Sequence, residues 1–102
     1  MYYKYPMDGK LVIVGFGNMG QALIKGLLAR NTWPGDISVV DVSDTAAEHA
    51  EKLQLRHVTD ANDISRAPKV VLFAVKPQIA PDVVAQYARF AKEGTVFVSI
   101  MA

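Results

Sequence analysis

The sequence predicts an α/β fold in which about five parallel strands alternate with helices. Segments rich in β-branched residues alternate along the chain with segments whose apolar residues recur at helical spacing. The first and fourth strand segments, residues 10–15 and 70–75, are apolar on both faces, as expected for a sheet between two layers of helices. A glycine-rich turn joins the first strand to the first helix. Together these observations predict a three-layer domain.

The five predicted strands are residues 10–15, 37–41, 55–58, 70–75 and 95–100. The first predicted helix covers residues 18–30, and its apolar stripe consists of Leu23, Ile24, Leu27 and Leu28. A break follows at Pro34 and Gly35, because proline cannot continue a helix and glycine permits a turn.

The second predicted helix covers residues 44–53, and its inward stripe consists of Ala46, Ala50 and Leu53. Three residues compete as its N-terminal cap. Thr45 has capping-box spacing to Glu48, and Ser43 and Asp44 are the alternatives.

Residues 60–66 are predicted to form a short helical turn. The last predicted helix begins at Pro81, which suits the first helical position, and ends at Gly94. The residues predicted for its inner face are Val84, Tyr87, Ala88 and Ala91. The final strand, residues 95–100, is predicted to be buried.

The glycine-rich turn has the pattern G-x-G-x-x-G and consists of Gly15, Phe16, Gly17, Asn18, Met19 and Gly20. Because it follows a strand and opens a helix, it has the context needed to hold a dinucleotide pyrophosphate. Gly15 is expected to allow the tight turn and Gly17 to let the main chain approach the phosphates. Gly20 is expected to let the helix pack close to the strand. N–H groups at the helix N-terminus would supply the anion site, so we predict a Rossmann-type fold that binds NADP or NAD.

Asp41 ends the second predicted strand and lies 41 − 20 = 21 residues after Gly20. This is close to the spacing of about 20 expected for an acid that binds the adenosine ribose. Such an acid favours NAD, since its carboxylate repels a 2′-phosphate. The alternative is a solvated acid or a helix cap. Ser43 could bind a 2′-phosphate, but we favour a helix cap for its hydroxyl.

A further candidate segment ends the fourth strand and consists of Ala74, Val75, Lys76 and Pro77. Ligands of open α/β sheets bind outside the carboxyl ends of the strands, near the point where the strand order reverses. The segment is therefore predicted to lie beside the pyrophosphate and the nicotinamide ribose, with Lys76 as a fixed positive charge. The alternative is a surface lysine followed by a proline that ends the strand.

The composition excludes several other classes of protein. A length of 102 residues suits one domain, and the net charge of +1 comes without the basic cluster typical of nucleic-acid binding. The absence of cysteine excludes disulfides and thiolate chemistry. No apolar run approaches the roughly 20 residues of a membrane span. Residues 1–10 lack the apolar core of a signal peptide, so a cytoplasmic location is expected.

The sequence predicts no catalytic residue and no metal site. His49 and His57 lack metal-ligand spacing, and neither has a nearby serine or cysteine that would suggest a nucleophile. Both are interpreted as surface or packing histidines. The carboxylates are scattered along the chain, so no acid–base pair emerges.

Three motifs together resemble the amino-terminal domain of pyrroline-5-carboxylate reductase. They are GFGNMGQAL from Gly15, AVKPQ from Ala74 and VSI from Val98, and the resemblance covers residues 10–102. That family uses NADPH or NADH to reduce a cyclic imine, pyrroline-5-carboxylate, to proline. The resemblance implies that residues 16–19 surround the pyrophosphate, residues 41–43 lie at the adenosine ribose and residues 74–77 contact the nicotinamide end. Many members carry Ser, Thr or Arg after the second strand, so Asp41 leaves the choice between the two cofactors open.

The resemblance also implies parts of the enzyme that this chain does not contain. The family has a second, helical domain that forms the dimer and supplies much of the site for the imine and its carboxylate. Residues 1–102 then correspond to the dinucleotide-binding domain, which would bind cofactor but not turn over substrate alone, and the full-length protein is expected to be a homo-oligomer. Two alternatives stay open. One is the amino-terminal domain of a 3-hydroxyacid or 6-phosphogluconate-type dehydrogenase, and the other is a stand-alone dinucleotide-binding module.

Overall fold

The computed structural model describes residues 10–100 and contains one parallel sheet with the strand order β3-β2-β1-β4-β5. The strands are β1 (Leu11–Val14), β2 (Ile37–Val40), β3 (Arg56–Val58), β4 (Val70–Phe73) and β5 (Val96–Ser99). The α-helices are α1 (Asn18–Ala29), α2 (Asp44–Lys52) and α3 (Ala80–Ala85). Three 3₁₀ turns lie at Pro34–Asp36, Ala61–Asp63 and Ala88–Glu93. The predicted α/β fold with five parallel strands is confirmed.

The order of the strands reverses on either side of β1. The chain runs outward from β1 to β2 and β3, then returns across the sheet to β4 and continues to β5. Val14, the last residue of β1, is in register with Val40 of β2 and Phe73 of β4. Three neighbouring strands therefore end at the same level. In such sheets the crevice beside the reversal point is where ligands bind.

Each face of the sheet has its own apolar core. On one face Ile13 and Val39 pack with Ile24 of α1 and with Ala46 and Ala50 of α2. The small alanines let α2 lie close to the strands, as predicted. Within the predicted stripe of α1, Ile24 is fully buried and Leu27 and Leu28 pack against this core, but Leu23 is 37% exposed.

The second face is covered by the segments that follow β3 and β4. Val12 and Phe73 pack there with Ala61, Tyr87 and Phe90. Arg89 ties these segments together, since its guanidinium donates hydrogen bonds to the carbonyl oxygens of Ala61 at 2.7 Å and of Ile64 at 3.1 Å. The same group lies 4.3 Å from the centre of the Phe90 ring. The sheet is thus covered on both faces, which confirms the three-layer arrangement.

The last predicted helix was wrong in its length and in the face that it buries. In place of one helix, α3 ends at Ala85 and a 3₁₀ turn, Ala88–Glu93, follows. Tyr87 is buried as predicted, but Val84, Ala88 and Ala91 are exposed, and the inward residues are Val83 and Phe90 instead. The inward residues Val83, Tyr87 and Phe90 still recur at helical spacing, so the segment packs with a different face from the one predicted. Gly94, at φ 85°, ends the turn as predicted.

The prediction that the fifth strand is buried was also wrong. All four residues of β5 are exposed, and Val96 keeps 56% of its surface accessible. The strand has the apolar sequence of a central strand, but among residues 10–100 it lies at the edge of the sheet, with β4 as its one neighbour. Phe97 contacts β4, with its ring stacked 6.1 Å from that of Phe73. Among residues 10–100, no helix has the length and hydrophobicity needed to cross a lipid bilayer.

A charge in β1 should strongly destabilise the fold. Val14 is 6% exposed and packs in the core of the second face. We expect Val14→Asp to lower the free energy of unfolding by about 3 kcal/mol or more, because the carboxylate would be buried without a partner. Urea denaturation measures this. Val42→Asp is the matched control, since Val42 is 82% exposed and its substitution should change stability by about 0.5 kcal/mol at most. Equal effects of the two changes would contradict the burial of β1.

Burial raises the pKa of Tyr87 to about 12 from its usual 10.0, with Arg89 opposing this and Asp60 adding to it. The unfolded chain therefore loses this proton at lower pH than the folded protein does. The contribution to stability is fully present below about pH 10 and is lost as the pH rises towards 12. Denaturation of the wild type and of Tyr87→Phe across that window should show a steeper fall for the wild type. Parallel curves would mean that the phenol is not protected from ionisation.

Candidate functional site

The candidate site lies where β1, β2 and β4 end side by side. Main-chain hydrogen bonds extend the pairing by one residue, since the Gly15 amide donates to Val40 at 2.9 Å and the Ala74 amide donates to Val14 at 2.8 Å. Gly15, Asp41 and Ala74 therefore leave the sheet at the same edge. The glycine-rich turn, the loop at Asp41 and the segment from Ala74, each predicted from the sequence, therefore lie together at one edge of the sheet.

The turn after β1 requires glycine at two positions. Gly15 has φ +93°, a conformation that L side chains rarely adopt, and a Cβ atom there would lie 2.6 Å from the carbonyl oxygen of Ala74. At Gly20, a Cβ atom would lie 2.9 Å from the Gly15 carbonyl oxygen and 3.2 Å from Cδ1 of Ile13. Gly15 therefore allows the tight turn, and Gly20 allows α1 to pack directly over the end of β1.

Gly17 is different, because the space beside it is open. A Cβ atom built there would meet no atom of residues 10–100 within 4 Å. Gly17 is the N-terminal cap of α1, and its carbonyl oxygen accepts the amide of Gln21 at 2.9 Å. The helix has no capping side chain and no acid in its first turn. The main chain at this point can therefore be approached closely by a ligand.

Three amides at the start of α1 lack an acceptor in the described part of the chain, and two of them belong to exposed residues. Within residues 10–100, the N–H groups of Asn18, Met19 and Gly20 have no hydrogen-bond acceptor, since the ladder of α1 begins with Gln21. Asn18 is exposed, and Met19 keeps 47% of its surface accessible. A helix start with free amides and its positive dipole end favours negative charge. Among the described residues the space beside Gly17 is open, while Phe16 and Gly20 of the same turn are buried.

Phe16 plays another part in the same turn. Its side chain is 2% exposed and belongs to the core of the first face. Its amide donates to Oδ2 of Asp41 at 2.8 Å. Phe16 therefore anchors the turn to the core and to the loop after β2, and its amide is already engaged.

Asp41 lies in the loop after β2 and accepts two main-chain amides. Oδ2 accepts the amide of Phe16, and Oδ1 accepts that of Ser43 at 2.9 Å. Each carboxylate oxygen can accept a further hydrogen bond, which leaves acceptor capacity for a ribose hydroxyl. The ribose contact stays a prediction, and the two amide contacts are the roles that the structure adds.

Ser43 caps α2. Its Oγ accepts the amides of Thr45 at 3.1 Å and of Ala46 at 3.3 Å. This confirms the interpretation that we favoured, and the capping-box alternative centred on Thr45 was wrong. The side chain is exposed at the candidate site. Its predicted contact with the cofactor remains a prediction.

The segment after β4 supplies the remaining predicted residues. Ala74 and Val75 are half-buried and pack against the two cores, one on each face. Lys76 and Pro77 are exposed at the carboxyl edge of the sheet. Within the described part of the chain, the Lys76 side chain has no hydrogen bond or ion pair, so its charge is free at this edge.

His57 was missed as a residue of the site. It lies on β3, and its Nε2 is 2.8 Å from the carbonyl oxygen of Asp41. Since a carbonyl can only accept, Nε2 carries the hydrogen. The sequence placed His57 near a short strand but held no signal for this contact, which depends on β3 pairing with β2. No three His, Cys, Asp or Glu side chains between residues 10 and 100 come together as metal ligands.

Comparisons with known proteins agree with this architecture. The family model described as NADP oxidoreductase coenzyme F420-dependent matches residues 10–102. A pyrroline-5-carboxylate reductase from Escherichia coli is 30% identical over 98 residues, which cover 94% of this chain and 36% of that protein. The chain thus spans little more than a third of the length of this curated relative. The resemblance noted from the three motifs is confirmed.

Solved structures show the same fold. A pyrroline-5-carboxylate reductase from Coxiella burnetii superposes with a TM-score of 0.82 at 24% identity, over 93% of this chain and 36% of that one. A pyrroline carboxylate reductase from Plasmodium falciparum, solved with NADP bound, gives 0.72 at 23% identity, over 93% and 34%. Since the family match runs through almost the whole chain and the fold agrees, this protein belongs to the NADP oxidoreductase family described as coenzyme F420-dependent.

Proposed function

We propose that this chain is the cofactor-binding domain of a pyrroline-5-carboxylate reductase, which uses NADPH or NADH to reduce 1-pyrroline-5-carboxylate to proline. The observation that carries the proposal is the open start of α1 at the carboxyl edge of the sheet. The combination of motifs from Gly15 and Ala74 and the relative from Escherichia coli support the reaction. The Plasmodium relative with NADP supports the class of cofactor.

The residues of the site fit a dinucleotide. The free amides of Asn18, Met19 and Gly20 would hold the diphosphate, and the open space beside Gly17 lets it approach the main chain. Asp41 and Ser43 would lie at the adenosine ribose. The exposed ammonium of Lys76 would add positive charge near the nicotinamide end. No carboxylate in the first turn of α1 opposes the phosphates.

The proposed reaction requires little acid–base catalysis from the residues of this domain. A bound reduced nicotinamide supplies the hydride that is added to the C=N carbon. A protonated imine accepts hydride readily, so none of residues 10–100 has to act as a general acid. The domain would bind and orient the cofactor. The site for the imine and its carboxylate would come from the helical domain of the family.

The direct test is an assay of the full-length protein with pyrroline-5-carboxylate and either reduced cofactor. We expect NADPH or NADH to be oxidised only when the imine is present, and proline to be formed. The loss of nicotinamide absorbance measures the oxidation. A known pyrroline-5-carboxylate reductase serves as the positive control. If the protein is inactive with the imine but oxidises 3-hydroxy acids or 6-phosphogluconate with NADP or NAD, the dehydrogenase alternative replaces this proposal.

A side chain at position 17 should block the cofactor and spare the fold. The open space beside Gly17 accommodates a valine, but the side chain would occupy the path of the diphosphate. In the full-length protein we expect Gly17→Val to weaken cofactor binding about tenfold or more, which corresponds to about 1.4 kcal/mol or more. Calorimetric titration measures the affinity and thermal unfolding checks the fold.

The matched control is Gly26→Val. Gly26 also lies on α1, and a Cβ atom there meets none of the described residues within 4 Å, but it is about two turns beyond the amides. The affinity of the Gly26→Val variant for the cofactor should equal that of the wild type. An unchanged affinity in Gly17→Val, or an equal loss in both variants, would remove the turn from the proposed site.

A further inference from the structure

The hydrogen bonds of Asp41 link the turn after β1, the start of α2 and strand β3. Its carboxylate reaches the turn after β1 through Phe16 and the start of α2 through Ser43. Its amide donates to Val58 of β3 at 3.1 Å, and its carbonyl oxygen accepts from Nε2 of His57 at 2.8 Å. All four polar groups of Asp41 are therefore used within the protein.

We propose that Asp41, held in place by His57, is a positioning residue for the glycine-rich turn and supports the binding of NADH and NADPH alike. The inference rests on the proposed function, because it assigns part of the cofactor affinity to this pair. It differs from the expectation drawn from the sequence, in which the carboxylate acts on the ribose and discriminates between the two cofactors.

Asp41 supplies the acceptor for the main-chain amide of Phe16. Phe16 is 2% exposed, so this N–H has almost no access to water and requires an acceptor from the protein. Within the described residues, Oδ2 of Asp41 is its acceptor. The bond fixes the peptide that joins Gly15 to Phe16, directly after the residue with φ +93°. The orientation of that peptide sets the path of the chain into α1, and therefore the direction of the three free amides.

The carboxylate is itself held from both sides. The Ser43 amide, 2.9 Å from Oδ1, fixes the side chain against rotation while Oδ2 faces the turn. A carboxylate can accept both amides at once, whereas an asparagine side chain offers one oxygen and one NH₂ group. Accepting the Phe16 and Ser43 amides on separate oxygens therefore requires an acid at position 41.

His57 fixes the main chain from which this carboxylate projects. β2 ends at Val40, so the Asp41 carbonyl lies beyond the strand and is met by the ring of His57 instead of a strand partner. Because Nε2 donates, the contact persists whether the ring is neutral in that tautomer or protonated. Glutamine can place an amide donor at a similar distance from Cβ, whereas leucine cannot donate.

The two roles of Asp41 predict opposite results for NADPH. If the carboxylate acted only by bonding the ribose and repelling a 2′-phosphate, its removal would strengthen NADPH binding and weaken NADH binding. If it positions the turn, its removal weakens both, because the two cofactors present the same diphosphate. The affinity for NADPH is therefore the decisive quantity.

The first experiment measures the dissociation constants of NADH and NADPH for the full-length wild type and for Asp41→Asn. We expect both affinities to fall about tenfold in the variant, which corresponds to about 1.4 kcal/mol. Unchanged or tighter NADPH binding would overturn the inference. The control is Asp44→Asn, which removes a charge from the start of α2 at an exposed side chain that makes no hydrogen bond within residues 10–100. An equal loss in this control would assign the effect to charge alone and overturn the inference.

The second experiment substitutes His57 and stays informative if Asp41→Asn does not fold. We expect His57→Leu to raise the KM of both cofactors while kcat at saturation is retained, and His57→Gln to restore most of the affinity. His49→Leu is the matched control, since His49 lies on α2 and makes no side-chain hydrogen bond within the described residues. Unchanged binding in His57→Leu, or a glutamine variant as weak as the leucine variant, would overturn the role of His57.

The wild-type titration separates this inference from the function on which it rests. A wild-type protein that binds neither cofactor would overturn the proposed function and the inference with it. A wild type that binds both cofactors, together with an Asp41→Asn variant that keeps its affinity for NADPH, would overturn the positioning role alone.

Discussion

The close approach of the turn after β1 to the end of β4 is the constraint on which the candidate site depends. Gly15 takes a positive φ and lies against the Ala74 carbonyl, where a Cβ atom would come within 2.6 Å of the oxygen. Gly20 brings the first turn of α1 over the same point. The chain can therefore reverse direction within a few residues and begin a helix beside the strand that it has just left. The free amides of α1 face the carboxyl edge of the sheet as a result.

The loop after β2 stabilises this turn from the other side. The sheet brings Val14 and Val40 into register, so Asp41 leaves β2 next to the turn and its carboxylate reaches the Phe16 amide. β3 adds a separate contact, in which Nε2 of His57 donates to the main-chain carbonyl oxygen of Asp41. A feature that the sequence presents as a cofactor contact is, in the folded chain, also a link between two loops. The two roles are compatible, because each carboxylate oxygen accepts more than one hydrogen bond.

The spacing of apolar residues along the sequence predicted the elements best where burial alone decides which residues are apolar. The buried strands β1 and β4 are apolar on both faces, and Ala46 and Ala50 mark the face of α2 that packs on the sheet. The same spacing failed where the position of a segment beside other segments decides which of its residues are buried. The apolar sequence of β5 does not reveal that the strand lies at an edge. In the last helical segment Val83 and not Val84 packs inward, on the same face as Tyr87 and Phe90, and the pair of valines alone does not reveal which face that is.

The sequence by itself determined the five strands, the helix that opens on Gly17 and the segments that meet at the candidate site. It could do so because glycine, proline and apolar spacing act on the chain locally. Only the tertiary structure decided which amide the Asp41 carboxylate accepts, that His57 reaches its carbonyl, and which side chains of the last helical segment are buried. These contacts join residues 16 to 25 positions apart. They exist only once the parallel strands lie side by side, and no local pattern encodes that pairing.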